Sequence, residues 1–479
     1  MKQNKGLSQN AIDFERLAQG DLKAYLKTHR KPVTRREFLA TGLLQFTAAM
    51  TLPSLYNILS RSGLAQAQEL VCAQAGLSDL PPVITFNLAG GAAMSSNFVP
   101  MDQGRQPLSS YGLIGLGSSR NLQFDAEFAN QAPFAAISGM LAGIRETSSP
   151  TTRANTVFVG KCLRSQDDTA ENKLSMDALV NKAGVRGSIL PNLGRNRNDS
   201  AFLVPPSPLE VRSYADITGA LGVAGSLGSL SRQEQGKLFE MTQRLSRRQA
   251  ESLHSSSGGR QLAHLFECAV QDNVRLVATE DPGTNPLSDQ AFSGVWNINE
   301  NSRRSSRDFV FGSIVYNVLK GNGGVGNLNI GGYDYHGNPR ATTDARDVTA
   351  GQVIGQILES FAVMNKKAFL MVTSDGGVGS QNSEVAGNNF TSDRGTGGVI
   401  YMIAYDPMGR VRASDFQLGH FTEGQAADRD FVTAGTVERG IAGVFANYLS
   451  FAGQLGRFES VLPRILGPGD LDQVVKIFA

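Results

Sequence analysis

The sequence predicts an α/β fold in which a mostly parallel sheet is flanked by helices. Short apolar runs of strand length alternate with longer segments of helical periodicity, which is the order typical of parallel sheets covered on both faces. Glycine-rich or polar residues follow several of the runs. The hydrophobic share of 41 % is ordinary for a globular protein.

The first half of the chain begins with a strand and then alternates. After Pro81-Pro82, the run Val83–Leu88 reads as a buried strand that ends at Ala89-Gly90-Gly91. The patterns that follow predict a helical stretch around 134–144, a strand at 156–160 and a helix at 175–182.

The middle of the chain is more helical. Ser231 is a good N-cap for a helix that continues to about Ser255, and two further helices are predicted at 261–278 and 305–319. We therefore predict that residues 185–320 form a helical insertion or cap on the main domain.

The last third of the chain alternates again between strand and helix. The predicted elements are strands at 328–330, 368–373 and 398–404, an amphipathic helix at 348–364 and a closing helix at 431–451.

The N-terminus has the layout of a twin-arginine (Tat) export signal. Arg35-Arg36-Glu37-Phe38-Leu39 opens a weakly apolar run that ends at the small-x-small sequence Ala65-Gln66-Ala67. Residues 39–58 contain too many polar breaks for a membrane span, so we expect none after cleavage. The sequence thus predicts a leader at 1–67, the Tat translocase as a partner, and a periplasmic or otherwise exported protein.

Removal of the leader changes the net charge. Residues 1–67 contain 10 basic and 4 acidic side chains, which leaves 35 basic against 39 acidic in the 412 residues that follow. No basic tract remains in residues 68–479, so nucleic acid is not expected as a partner. The length of this part suits one large α/β domain with insertions, or two domains, and we predict a single domain over residues 68–479.

The three cysteines give little information about a site. In an oxidising compartment Cys72, Cys162 and Cys268 allow one disulfide and leave one thiol, and the sequence leaves the pairing open. Their spacing matches no metal-binding motif.

Candidate ligands gather where predicted strands end. Asp334 and His336 follow the strand at 328–330, Asp375 follows that at 368–373, and Asp393 and His420 flank that at 398–404. Sites in open α/β sheets form at the carboxyl ends of strands, and carboxylate and imidazole are ligands of divalent ions. Asp334 and His336, two apart in an extended segment, should face the same side. The sequence therefore predicts a divalent metal site for Zn, Ca, Mg or Mn.

A glycine pattern at 321–326 looks like a dinucleotide fingerprint but has the wrong context. Gly321-Asn322-Gly323-Gly324-Val325-Gly326 matches G-x-G-x-x-G, yet it follows a predicted helix and precedes a predicted strand. The dinucleotide motif has the reverse order, so we interpret this segment as a connection.

Short motifs in the leader and along most of residues 80–405 resemble those of the Tat-exported domain of unknown function 1501 family, within the alkaline phosphatase and sulfatase superfamily. The similar positions are the twin-arginine leader, Gly90-Gly91, Gly332-Tyr333-Asp334-Tyr335-His336, Ser374-Asp375-Gly376-Gly377 and Asp393-Arg394-Gly395. The resemblance implies an alkaline-phosphatase-like fold and metal-assisted hydrolysis of phosphate or sulfate esters. It implies Ser95 or Ser96 as nucleophile, and Arg394 is a candidate partner for an anionic ester oxygen.

The sequence also departs from the family pattern. Residues 92–97 contain no carboxylate where the family has an Asp, Asp375 replaces a Glu, and Arg394 replaces a His. Two functions therefore stay open: a metal-dependent ester hydrolase, and a non-catalytic exported binding or assembly protein on the same fold.

Overall fold

A mixed, mostly parallel sheet of seven strands forms the centre of the molecule. The computed structural model describes residues 80–163, 174–185, 187, 189–192, 209–221, 283–374, 377–383, 390–394, 397–467 and 469–479, with only the backbone of 392–394 and 219–221. The predicted leader, the predicted helices at 231–255 and 261–278, Cys72 and Cys268 lie outside these residues.

The strands are named in chain order. They are β1 (Val83–Leu88), β2 (Ser110–Tyr111), β3 (Gly117–Ser118), β4 (Phe124–Glu127), β5 (Ala132–Ala135), β6 (Thr156–Leu163), β7 (Ile189–Pro191), β8 (Val325–Ile330), β9 (Ala368–Ser374), β10 (Gly377–Ser380), β11 (Phe390–Arg394), β12 (Gly398–Tyr405), β13 (Arg412–Ala413), β14 (Gln417–Leu418) and β15 (Ile477–Phe478).

The α-helices are named in the same way. They are α1 (Gly139–Thr147), α2 (Pro150–Ala154), α3 (Met176–Ala183), α4 (Tyr214–Leu221), α5 (Gln290–Val295), α6 (Arg307–Lys320), α7 (Arg340–Val363), α8 (Val437–Phe451), α9 (Phe458–Val461) and α10 (Asp470–Val474).

The central sheet has the order β14-β6-β12-β9-β1-β8-β7. Strand β1 is parallel to both of its neighbours, β8 and β9, whereas β12 is antiparallel to β9 and β6. In the described part of the chain between β9 and β12, β10 and β11 form an antiparallel pair.

Helices cover both faces of the sheet. One face, with Ile84, Phe86 and Leu88 of β1, packs against α1, α6 and α7. The other face, with Val83, packs against α3 and α8. The predicted arrangement of a mostly parallel sheet between helices is therefore confirmed.

Polar side chains begin several helices and correct two predicted boundaries. Ser138 accepts a hydrogen bond from the backbone of Leu141, so α1 begins at Gly139, and Phe134 lies in β5 and not in the predicted helix. Thr436 caps α8 in the same way, so the closing helix begins later than the predicted residue 431.

The region 185–320 contains elements of the central fold. Strand β7 pairs with β8 at the edge of the sheet, and α6 packs on the sheet face, where its Ile314 is fully buried. The glycine pattern at 321–326 connects α6 to β8 and includes the first two residues of that strand, and Gly321 ends the helix in a left-handed conformation. No helix in the described part of the chain is long and apolar enough to cross a membrane.

Candidate functional site

The carboxyl ends of β1, β8 and β9 meet at one edge of the sheet. Leu88 is paired in register with Ile330 on one side and with Ser374 on the other. The loop after β1, the Asp334 segment and the chain that leads to Asp375 therefore leave the sheet side by side. This is the position where open α/β folds place their sites.

Backbone hydrogen bonds extend the pairing of β1 and β8 past the ends of the strands. Tyr333 N donates to Ala89 O at 3.2 Å, and Tyr335 N donates to Gly91 O at 3.4 Å. Gly90 has a φ of +122°, and a Cβ there would lie 2.6 Å from Asp334 N. Glycine at position 90 is thus required both by the backbone conformation and by the close approach of the Asp334 segment.

Asp334 and His336 lie on the outer side of this segment. Side chains alternate along it, with Tyr333 and Tyr335 buried and Asp334 and His336 exposed. The expectation that the two candidate ligands face one side agrees with this alternation. Asp334 Oδ1 accepts a hydrogen bond from His336 N at 3.1 Å.

Ser95 and Ser96 belong to a short 3-10 helix, Met94–Ser96, in the loop after β1. Both are buried, with relative exposures of 2 % and 1 %. Ser96 Oγ donates to Ala93 O at 2.8 Å, and Tyr401 Oη donates to Met94 O at 2.6 Å. The turn that contains the two candidate nucleophiles is therefore held closely against the sheet.

Ser374 connects β9 to the loop after β1. Its Oγ accepts a hydrogen bond from Ala92 N at 2.6 Å and donates to Leu88 O at 2.7 Å. This serine directly precedes Asp375, which lies outside the described residues. The sequence motif Ser374-Asp375 therefore begins next to the loop of the candidate nucleophiles.

Strand β11 brings the backbone of Asp393 and Arg394 to the same edge. Gly337 N donates to Phe390 O at 3.0 Å, and Phe390 N donates to Asn338 O at 3.1 Å. Within the hairpin, Asp393 pairs with Val378. The side chains of Asp393 and Arg394 lie outside the described part of the structure.

His420 follows β14, at the other end of the strand order. Strands β14 and β8 are five positions apart in the sheet, or about 24 Å at the usual strand spacing. His420 Nε2 contacts Asp428 Oδ2 at 2.9 Å, with side-chain exposures of 14 % and 29 %. The structure therefore brings Asp334 and His336 together but associates His420 with Asp428.

A buried polar network beneath the edge contains residues that the sequence motifs did not single out. Asp347 of α7 is 1 % exposed and accepts hydrogen bonds from Asn97 Nδ2 and Tyr335 Oη, each at 2.7 Å. Burial raises the pKa of Asp347 to about 7, although both hydrogen bonds and the charge of Arg340 oppose the shift. Asp347 lies one residue before the helix predicted at 348–364, so that prediction did not point to this network; in the structure α7 begins at Arg340 and includes Asp347.

Arg340, at the start of α7, joins further parts of the edge. It is 2 % exposed, and its guanidinium donates to Gly115 O at 2.8 Å and to Ser96 O at 3.5 Å. It also lies 5.9 Å from the ring centroid of Phe390 and forms an ion pair with Asp344 at 3.3 Å. Arg340 thus fixes the turn of the candidate nucleophiles relative to β11.

The described side chains supply part of a ligand set for a divalent ion. Within the described residues, no group of three or more His, Cys, Asp or Glu side chains is arranged to hold a metal. Asp334 and His336 provide two exposed donors of suitable chemistry. Asp375 and the side chain of Asp393, the other predicted ligands at this edge, lie outside the described part.

The free thiol in the described part is Cys162 of β6. It is buried, and burial raises its pKa to about 12, which makes it an unreactive thiol. It is therefore not a candidate for the chemistry of the site.

Comparisons of this chain with protein-family models, with curated proteins and with solved structures found no match.

Proposed function

We propose that this protein is exported through the Tat pathway and acts as a metal-dependent hydrolase of phosphate or sulfate esters on an alkaline-phosphatase-like fold. The observation that supports this proposal is the meeting of four segments at one sheet edge. The loop 89–97, the segment 333–338, Ser374 and strand β11 are joined by direct hydrogen bonds. These are the segments in which sequence reasoning placed the nucleophile, the ligands and an anion-binding arginine.

In this proposal each residue has a separate role. Asp334, His336, Asp375 and Asp393 would hold the ion, which would supply positive charge near the reacting ester. Ser95 or Ser96 would be the nucleophile, and Ser96 would first have to give up its hydrogen bond to Ala93 O. Arg394 would bind an anionic ester oxygen.

Metal content tests the proposal directly. We expect elemental analysis of the mature protein, purified from its exported form, to find one or two equivalents of a divalent ion. Replacing both Asp334→Ala and His336→Ala should remove the ion and lower ester hydrolysis by at least about a hundredfold, since ligand loss removes transition-state charge stabilisation. The exposed Asp472→Ala is a matched control that should retain both. A folded wild-type protein without metal or esterase activity would sink the proposal.

The position of His420 gives a second test. Because β14 is five strands from β8, we expect His420→Ala to leave the metal content unchanged and to lower only the stability of the 419–428 loop, by about 1 kcal/mol. Metal analysis and thermal unfolding of the variant would measure the two effects. Loss of metal would return His420 to the ligand set.

The second candidate function is a non-catalytic exported binding or assembly protein. Two observations favour it: the hydroxyl of Ser96 is engaged with Ala93 O, and Asn97 occupies the loop where the family pattern has a carboxylate. A metal-free, well-folded wild-type protein that retains its structure in the Asp334/His336 double variant would support this candidate.

A further inference from the structure

Asp347 is the point at which two sides of the candidate site meet. It lies in α7, more than a turn beyond the Asp334–His336 segment, and neither of its oxygens is exposed. Oδ1 accepts from Tyr335 Oη and Oδ2 accepts from Asn97 Nδ2, so each oxygen serves a different loop.

The first side of the connection is the segment with the candidate ligands. Tyr335 lies between Asp334 and His336, and its ring stacks on Phe390 with centroids 6.0 Å apart. Its hydroxyl is therefore placed by Asp347 at one end while its backbone is bonded to Gly91. Since side chains alternate in this segment, the position of Tyr335 determines where Asp334 and His336 emerge.

The second side is the turn with the candidate nucleophiles. Asn97 ends the 3-10 helix Met94–Ser96, and its Oδ1 accepts from Ser138 Oγ at 2.7 Å and from Met140 N at 3.3 Å. Its Nδ2 donates to Ala93 O as well as to Asp347. Asn97 thus connects Asp347 to the start of α1 and to the turn of Ser95 and Ser96.

We propose that Asp347 is a positioning residue that couples the turn of Ser95 and Ser96 to the Asp334–His336 segment through Asn97 and Tyr335. A displacement of one loop then changes the hydrogen bond that holds the other. The catalytic meaning of this coupling rests on the proposed function, but the coupling itself does not. A buried carboxylate that accepts from two loops is strongly favoured to keep both donors, since an unpaired buried oxygen is destabilising.

The test compares two tyrosines of the same segment. Tyr335→Phe removes the hydrogen bond to Asp347 and the longer one, at 3.3 Å, from the same hydroxyl to Thr343 O. The matched control Tyr333→Phe removes a 2.9 Å hydrogen bond from a tyrosine hydroxyl to Arg346 O of the same helix. Hydrogen exchange followed by mass spectrometry should show exchange about tenfold faster in residues 94–98 for Tyr335→Phe but not for Tyr333→Phe. Equal exchange in residues 94–98 for the two variants would overturn the coupling.

A second test exchanges the amide of Asn97 and the carboxylate of Asp347, first one at a time and then together. Asn97→Asp alone places two carboxylates together, and Asp347→Asn alone leaves one acceptor oxygen for the two donors Asn97 Nδ2 and Tyr335 Oη, so each should increase exchange in both loops. The double variant restores one N–H to carboxylate hydrogen bond in the reverse direction and should recover part of the protection, since the bond from Asn97 Nδ2 to Ala93 O stays lost. If the double variant is no better than the single variants, the proposed connection is wrong.

Metal binding and ester hydrolysis are measured separately, with Mn²⁺ alone and with 4-nitrophenyl phosphate as probes. In proteins of equal melting temperature, Tyr335→Phe should weaken Mn²⁺ binding about tenfold and lower kcat with little change in KM, because the ligands and the nucleophile lose their relative position. Tyr333→Phe should do neither. If the wild-type protein neither binds Mn²⁺ nor hydrolyses the ester, the proposed function is wrong. The hydrogen-exchange experiment would still test the coupling through Asp347.

Discussion

Lys161 is a buried cation in the middle of the structure and has an unusual environment. It lies in β6 with no exposed surface, on the face of the sheet covered by α3 and α8, and Nζ donates to Cys162 O. Burial lowers the pKa of Lys161 to about 7. The charged amine is therefore unfavourable in the folded state, and this side chain destabilises the fold at neutral pH and below.

We predict that Lys161→Met stabilises the protein in acid and near neutrality. A folded-state pKa below the unfolded value means that the penalty is fully present below about pH 7 and disappears as the pH rises towards the ordinary lysine value. The gain in the free energy of unfolding should be on the order of 2–4 kcal/mol at pH 6 and should shrink steadily to pH 10. Urea unfolding at several pH values measures it, with exposed Lys320→Met as control. A loss of stability at pH 6 would show that the amine has a structural role.

At the scale of elements, the contact between α1 and α7 depends on glycine. A Cβ on Gly143 of α1 would meet the carbonyl oxygen of Val348, and one on Gly351 of α7 would meet that of Met140. The two helices therefore approach backbone to backbone. This contact matters for the site because Ser138 caps α1 and bonds Asn97, whereas Asp347 belongs to α7.

We expect Gly351→Ala to destabilise the protein by about 2–3 kcal/mol, because backbone atoms cannot move aside as a side chain can. Gly294→Ala in α5 is the matched control, since a Cβ there meets nothing within 4 Å. Because alanine has a higher helix propensity than glycine, Gly294→Ala should leave the free energy of unfolding unchanged or raise it slightly. Thermal unfolding of both variants distinguishes the two cases, and equal melting temperatures would mean that the helices can separate without loss.

At the scale of the whole molecule, two cores on opposite faces share one sheet, and buried ionisable groups make stability depend on pH. Asp347 is the clearest acidic example. Its folded-state pKa of about 7 lies above the ordinary value, so the folded protein holds this proton more tightly than the unfolded chain does. The contribution of Asp347 therefore becomes less favourable as the pH rises from about 4 to about 7.

We predict that Asp347→Asn removes this dependence. The difference in the free energy of unfolding, wild type minus Asp347→Asn, should decrease by up to about 4 kcal/mol between pH 4 and pH 7 and then stay level. The amide of the variant does not titrate, and it has one acceptor oxygen fewer than the carboxylate. The free energies of unfolding of the two proteins therefore also differ by an amount that does not depend on pH. Chemical unfolding at intervals of one pH unit tests the slope. A difference that rises with pH would contradict the raised pKa of Asp347.

The sequence by itself predicted five of the seven strands of the central sheet, β1, β6, β8, β9 and β12, and several of the helices beside them, but not β7, β14 or the hairpins. These features depend on local periodicity and on glycine after strands, which act over a few residues. The strand at 83–88, the alternation of Tyr333, Asp334, Tyr335 and His336, and the connecting role of the segment 321–326 were all predicted in this way.

Only the tertiary structure decided which groups meet. Asn97 and Asp347 are 250 positions apart, and their hydrogen bond exists because α1 and α7 pack closely on one face of the sheet. The position of β14, which precedes His420, five strands from β8 follows from the strand order, which local patterns do not encode. Long-range pairing depends on how whole elements pack, and for that reason the buried network beneath the candidate site could not be read from the motifs above it.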